Sequence, residues 1–257
     1  VKILLFGGSQ NDAAQGPPFG AGFAFLCAEV TRLTGEPVEA EFRYLFPSGG
    51  SERYIARTLD ALDPDVVILH CHGVMVGPVT LRPFFRRVER QATAALARRG
   101  RRWAGRLIGC DPMWPHPHPR GIRQRAYFCA YNHLLRLGIG GPEMALEPAI
   151  RQYTSIIWQL SSHEDTALVV RGGAYHELNR QILRIRAGVT ARTVSFNRAL
   201  ADVCQERRVP FVDAWPVMRE NLERFPHYDA DGAHLTVEGD EAVARLELEA
   251  LAPLLAR

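Results

Sequence analysis

Two stretches at opposite ends of the chain carry residue types that suit acyl-transfer chemistry. Near the C-terminus the sequence reads Asp231-Gly232-Ala233-His234-Leu235-Thr236. An Asp three residues before a His lets one loop present a carboxylate and an imidazole together. The carboxylate then fixes the ring's tautomer and stabilises the imidazolium formed in proton transfer. Near the N-terminus, Phe6-Gly7-Gly8-Ser9-Gln10 puts a serine after an apolar run and two glycines, a spacing that suits display at a strand end. Serine is a weak nucleophile until a neighbouring base takes its proton, so each stretch supplies what the other lacks.

Other residues allow other chemistry. His70 and His72 are two apart and would share one face of a strand, and His116 and His118 repeat the spacing. His-x-His is a metal-ligand pattern, so a metal-dependent hydrolase is the rival enzyme reading. His116 and His118, however, alternate with prolines, and an exposed proline-rich loop needs no metal to explain it. Five cysteines are dispersed without Cys-x-x-Cys spacing, which points to a reducing compartment and away from a zinc ribbon or disulfide framework. No apolar run approaches the roughly 20 residues of a membrane helix, and no signal peptide precedes the first strand-like run, so the expectation is cytoplasmic.

The net charge of +3 hides a division. Residues 79–141 hold thirteen arginines against Glu89 and Asp111, a balance of +11 that leaves −8 for the rest. Most of these arginines read as a solvated helix face. A lid binding an anionic substrate, attachment to an acidic surface such as a membrane, and self-association are further readings. No nucleic-acid motif accompanies the basic patch, and nucleic acid is not expected as a partner.

The elements that must position these residues alternate. Strands are predicted at Val1–Phe6, Pro37–Phe46, Val66–Leu69, Ala167–Val170 and Val209–Val212, from short apolar or alternating runs bounded by Gly and Pro. Helices are predicted at Phe19–Thr34, from Ser51 (as N-cap) to about Leu62, at Arg82–Arg99, Tyr127–Leu137, Glu143–Leu160, Thr190–Arg207 and Val237–Leu255. Alternation implies one domain over residues 1–257, a three-layer α/β/α fold around a flavodoxin-like, mostly parallel five-stranded sheet. Residues 79–141 break the alternation and read as an inserted basic helical lid. In such sheets sites form beyond the carboxyl ends of the strands, where Ser9, Gly49, His70 and His72 all fall.

These blocks, in this order, resemble the SGNH hydrolases, also called the GDSL-type esterase and lipase superfamily. The likeness runs through residues 1–77 and 163–257. The family's Gly-Asp-Ser motif corresponds to Gly7-Gly8-Ser9, with Gly8 in place of Asp. Its Asp-x-x-His block corresponds to Asp231–His234, followed by the family's Leu and Thr. The resemblance implies Ser9 as nucleophile, His234 as base and Asp231 as its orienter. It also implies oxyanion donors: the N–H of Ser9 and the N–H of Gly49, or Gly50 through a one-residue shift. The third block, usually Gly-x-Asn-Asp, reads His70-Cys71-His72-Gly73 here, so its Asn donor is missing. His72 is the preferred substitute, with His70 close behind. The activity implied is hydrolysis of a carboxylic ester, or acyl transfer to another hydroxyl, without metal or organic cofactor. Lipid, sugar and small acyl esters are all within the implied range. The lost Asn keeps a second class open, a non-catalytic ligand-binding protein of the same fold.

Overall fold

The computed structural model describes residues 1–15, 19–72, 76–77, 79–98, 121–173, 183–221, 224–225 and 234–256. Five strands form one sheet: β1 (Lys2–Gly7), β2 (Glu39–Tyr44), β3 (Val66–His70), β4 (Ala167–Arg171) and β5 (Phe211–Val212). The order is β2-β1-β3-β4-β5 and every neighbouring pair is parallel. This is the flavodoxin-like arrangement expected from the alternation, and its order reverses between β1 and β3.

The central strands are apolar throughout because both faces are covered. Along β1, Leu4 and Phe6 join one core with α2 (Ser51–Leu62), α5 (Leu146–Leu160) and α6 (Leu183–Arg207). The alternate residues Ile3 and Leu5 join the other, with α1 (Ala21–Thr34) and α8 (Val237–Leu255). The remaining described helices are α3 (Arg82–Ala97), α4 (Ile122–Arg136) and the short α7 (Trp215–Glu220).

Several boundaries differ from expectation for physical reasons. The β5 ladder keeps only two residues, because Val209 and Pro210 lie before its pairing with Val170 and Arg171. Helix α6 already includes Leu183, ahead of the expected Thr190, over a stretch whose charged residues mask its period. Helix α7 was not anticipated, since Pro216 falls in its first turn, where a missing N–H costs nothing. Ser51 is the first residue of α2 and not its cap. The cap position belongs to Gly50, and the Ser51 hydroxyl accepts from Ser48 N–H at 2.8 Å instead.

The arginine-rich segment is framed by an antiparallel bridge in which Thr80 and Gly141 exchange two backbone hydrogen bonds of 2.9 and 3.0 Å. Leu81, Tyr131 and Leu135 form a small core of their own there, with Phe85 packed against it, whereas Phe84 stays exposed. Arg86 pairs with the carboxylate of Glu143 at 3.1 Å. No helix among the described residues is long and apolar enough to cross a membrane.

Helices α1 and α8 meet where Gly22 lies against Asp240. The Gly22 N–H donates to Asp240 Oδ2 at 2.7 Å, and a Cβ at Gly22 would lie 2.7 Å from the Asp240 carbonyl oxygen. Burial raises the Asp240 carboxyl to about 6, with Arg171 and the Gly22 N–H pulling the other way. A raised acid binds its proton more tightly in the folded chain than in the unfolded one. Its stabilising effect is therefore complete below about pH 4 and is lost as pH rises through about 6. Relative to Asp240→Asn, the wild-type protein should lose up to about 3 kcal/mol between these limits, from a shift of roughly two units. Urea unfolding of both proteins from pH 4 to 7.5 checks this. A difference that does not change with pH would contradict the assignment.

Candidate active site

The carboxyl ends of β1 and β3 flank the point where the sheet order reverses, and the Ser9 turn, His70 and His72 follow them directly. After Gly7 the chain turns sharply: Ser9–Asn11 form a single 3-10 turn, closed by Asn11 N–H to Gly8 O at 3.0 Å. Ser9 opens this turn, so its backbone is presented at the end of β1, the first strand.

The C-terminal block is built to present His234. Leu235 is buried with Trp215, Met218, Phe225 and Val243 and anchors the segment. Thr236 caps α8, its hydroxyl accepting from Gly239 N–H at 3.1 Å. The Leu and Thr of the sequence block are thus an anchor and a helix cap, and they leave His234 immediately outside the helix. The His234 ring meets Phe19 edge-on, with centroids 4.8 Å apart. Asp231 lies outside the described residues, as do His116 and His118.

Gln10 joins the two halves. Its side-chain oxygen accepts from Leu235 N–H at 2.6 Å, and its backbone oxygen accepts from Gly20 N–H at 2.7 Å. The residue after Ser9 therefore holds the residue after His234, and it also holds the loop whose Phe19 packs on the His234 ring. Gln10 Nε2 is turned to the Asp240 carboxyl without a well-aligned hydrogen bond.

Beneath this turn lies a buried ionic cluster. Glu247 of α8 sits 2.9 Å from Arg171 Nη1 at the end of β4 and 2.7 Å from His70 Nε2 at the end of β3. The His70 contact is close but off the line of a straight hydrogen bond. His70 Nδ1 lies 3.1 Å from Asn11 Oδ1 in the Ser9 turn. Burial works against charge on both groups, but they respond differently. It lowers the His70 pKa, aided by Arg171, whereas Glu247 stays below its ordinary range because His70 and Arg171 outweigh its burial. The two His70 ring nitrogens thus face the foundations of the site, Asn11 of the Ser9 turn on one side and Glu247 of α8 on the other.

His72 is oriented differently. Its Nε2 lies 2.9 Å from Leu45 O, its backbone N–H donates to Tyr153 Oη at 2.7 Å, and its ring stacks on Phe46 with centroids 4.9 Å apart. Burial, then the neighbouring His70, lowers its pKa to about 4, against the opposite pull of the Leu45 and Gly7 carbonyls. A neutral imidazole has one N–H to give, and the carbonyls of both Leu45 and Gly7 face this ring. Among the described residues no three His, Cys, Asp or Glu side chains converge in a metal-ligand group.

Gly49 lies in the turn before α2. Its N–H has no acceptor among the described residues, and the space where a Cβ would stand is open to 4 Å. Gly50 N–H is turned to Ser48 Oγ at 3.4 Å. Ser48 and Gly49 line a cleft of about 290 Å³ between α2 and α5.

A model of the GDSL-like lipase and acylhydrolase family matches residues 137–242. No curated protein sequence matches the chain. Solved structures share the fold over nearly the whole length. A lipase/acylhydrolase from Enterococcus faecalis has a TM-score of 0.55 at 13% identity, covering 98% of this chain and 96% of that one. An acetyl-xylooligosaccharide esterase, Axe2, from Geobacillus stearothermophilus has a TM-score of 0.55 at 14% identity, covering 97% and 93%. TesA has a TM-score of 0.53 at 14% identity, covering 99% of both chains. The fold is α/β/α, and the matched segment is of an acylhydrolase family. Residues 137–242 are thus similar to the GDSL-like lipase and acylhydrolase family, and the whole chain shares its fold with solved structures that include a lipase/acylhydrolase and an esterase. The family description and the esterases that share the fold support an ester hydrolase in general terms.

Sequence reasoning passed over Gln10, Arg171 and Glu247. Two of them left a signal. Arg171 ends an otherwise apolar strand run. Glu247 falls on the buried stripe of α8 with Asp240, Val243, Ala244 and Leu251. Gln10 left none, because its partner is 225 residues away.

Replacing Gln10 by Ala should leave Leu235 N–H without its partner, at a cost of about 1–3 kcal/mol. It should also lower kcat on a short-chain p-nitrophenyl ester by roughly 10- to 100-fold through misplacement of the His234 loop, with little change in KM. Steady-state kinetics beside a thermal melt reads both. An unchanged kcat would show that this tie does not position the base.

Proposed function

We propose that the protein is a serine esterase acting on a carboxylic ester through an acyl-enzyme. The observation that carries this reading is the Gln10–Leu235 hydrogen bond, which holds the segments bearing Ser9 and His234 side by side across the sheet's switch point. The N–H of Gly49, which has no acceptor among the described residues, supports it from the other side.

In this reading His234 takes the proton of the Ser9 hydroxyl as its oxygen attacks the ester carbonyl carbon. The carbonyl π electrons move to oxygen, and the resulting oxyanion is received by the N–H groups of Ser9 and Gly49. Collapse of this intermediate breaks the bond to the alkoxy oxygen, which leaves as the alcohol with the proton from His234. Water then adds to the acyl-enzyme with His234 again as base, and release of the acid returns the proton to Ser9. Asp231 orients His234 throughout. With the His72 ring turned to the backbone carbonyls of Leu45 and Gly7, the oxyanion site in this reading consists of backbone donors.

Esters of small acyl groups, lipids or sugars all meet the chemical requirement, and the proteins of like fold include an acetyl-xylooligosaccharide esterase and a lipase/acylhydrolase. The test is hydrolysis of a panel of p-nitrophenyl and acetylated-sugar esters by the wild type and by Ser9→Ala, His234→Ala and Asp231→Asn. Loss of kcat by Ser9→Ala and His234→Ala should be on the order of 10⁴-fold or more, with no further loss on combining them, because members of one relay act as a unit. Retained turnover in Ser9→Ala would overturn the assignment.

A further inference from the structure

We propose that His72 is a positioning residue that braces the nucleophile turn by filling the space Gly8 leaves, so that Gly8 and His72 form one coupled pair. The inference rests on the esterase reading only for its kinetic part. The family pattern has Asp at the position of Gly8, and the missing third-block Asn falls near His72. Taken singly, each departure weakens the match. In three dimensions they are in contact.

The His72 ring lies directly against the Cα of Gly8. A Cβ built there would sit 2.2 Å from His72 Cε1, 2.8 Å from Nδ1 and 3.3 Å from Nε2. These distances exclude any side chain at position 8, an Asp above all, while the ring is in place. They also mean that a smaller third-block side chain would leave an opening beside the Ser9 turn, with nothing from Gly8 to fill it.

The ring does more than fill space. Its Nε2 reaches Leu45 O at 2.9 Å, while Leu45 N–H donates to Gly7 O at 3.0 Å. Its face stacks on Phe46 at an interplanar angle of 16°. Its backbone N–H donates to Tyr153 Oη, and Tyr153, on the inner face of α5, is itself buried in the core. One side chain thus ties the end of β1, which becomes the Ser9 turn, to the end of β2, which becomes the Gly49 turn. The two proposed oxyanion donors sit on those two turns. His72 therefore acts on their separation and does not itself touch the substrate.

The experiment is a double-mutant cycle with Gly8→Ala and His72→Ala, read by thermal unfolding and by kcat and KM, with His72→Gln as the conservative variant. Gly8→Ala in the wild-type background should lower Tm by roughly 4–10 °C, the scale of an overpacked site in a chain of this length. In the His72→Ala background the same change should cost little or raise Tm, because the ring is gone. His72→Ala should lower kcat by roughly 10- to 100-fold with KM within about threefold, as misplacement of donors predicts. His72→Gln, whose amide can donate to Leu45 O, should recover at least tenfold of that loss. An equal Tm loss from Gly8→Ala in both backgrounds would overturn the pairing. A kcat for His72→Ala within twofold of wild type would overturn the positioning role. The Tm coupling is read without any substrate, so an inactive wild type would refute the esterase reading and leave the pairing to be judged on its own result.

Discussion

The buried carboxylate of Glu247 is the interaction on which the site depends. It holds α8 to the carboxyl ends of two strands through Arg171 on β4 and His70 on β3. Such a cluster adds little net stability, because desolvating the charges offsets most of their attraction. Breaking it by removing one partner, however, leaves a buried charge uncompensated, at about 3–5 kcal/mol. Its value here is geometric. It fixes the depth and rotation of α8, whose first residue, Val237, lies three residues after His234. It also supports the nucleophile turn from below, since His70 reaches Asn11 of that turn. The two halves of the proposed relay come from chain ends more than two hundred residues apart, and they share this one foundation.

Three further ties complete the frame, each at the carboxyl edge of the sheet. Gln10 joins the Ser9 turn to the segment after His234. Asp240 joins α8 to α1 at a glycine where the helices meet backbone to carboxylate. His72 joins the ends of β1 and β2. All are buried or partly buried polar contacts between elements distant in sequence. The apolar cores on the two faces of the sheet would permit small slides of one helix against another. The polar ties, being directional, select one arrangement. A catalytic geometry that tolerates displacements well under 1 Å requires that selection.

The fold was legible in the sequence because its signals are local. Apolar runs such as Val66–Leu69 are buried on both faces and bounded by breakers, and Asp63, with φ of 44°, ends α2 where Asp63-Pro64-Asp65 predicts a stop. After the C-terminal block, Leu235 anchors and Thr236 caps α8, roles that residue type alone does not assign. The supports of the site were not. His72 reads in sequence as a donor replacing a lost Asn, and only its place against Gly8 and Leu45 shows where its ring nitrogens face. Glu247 and Arg171 read as two charges among many until the topology brings β4 beside α8. Ser51 looked like a helix cap by type, and the neighbouring Ser48 N–H claimed its hydroxyl instead.

The central claim is that an activated Ser9 faces an oxyanion site made by backbone N–H groups on the β1 and β2 turns. The most direct measurement is a crystal structure of the protein after reaction with a fluorophosphonate, with the adduct also mapped by mass spectrometry. The account predicts a phosphonyl group on Ser9, its charged oxygen about 2.7–3.1 Å from the N–H groups of Ser9 and Gly49, with His72 still directed to Leu45. An adduct on another residue, no adduct on folded protein, or a phosphonyl oxygen directed away from Gly49 would contradict it.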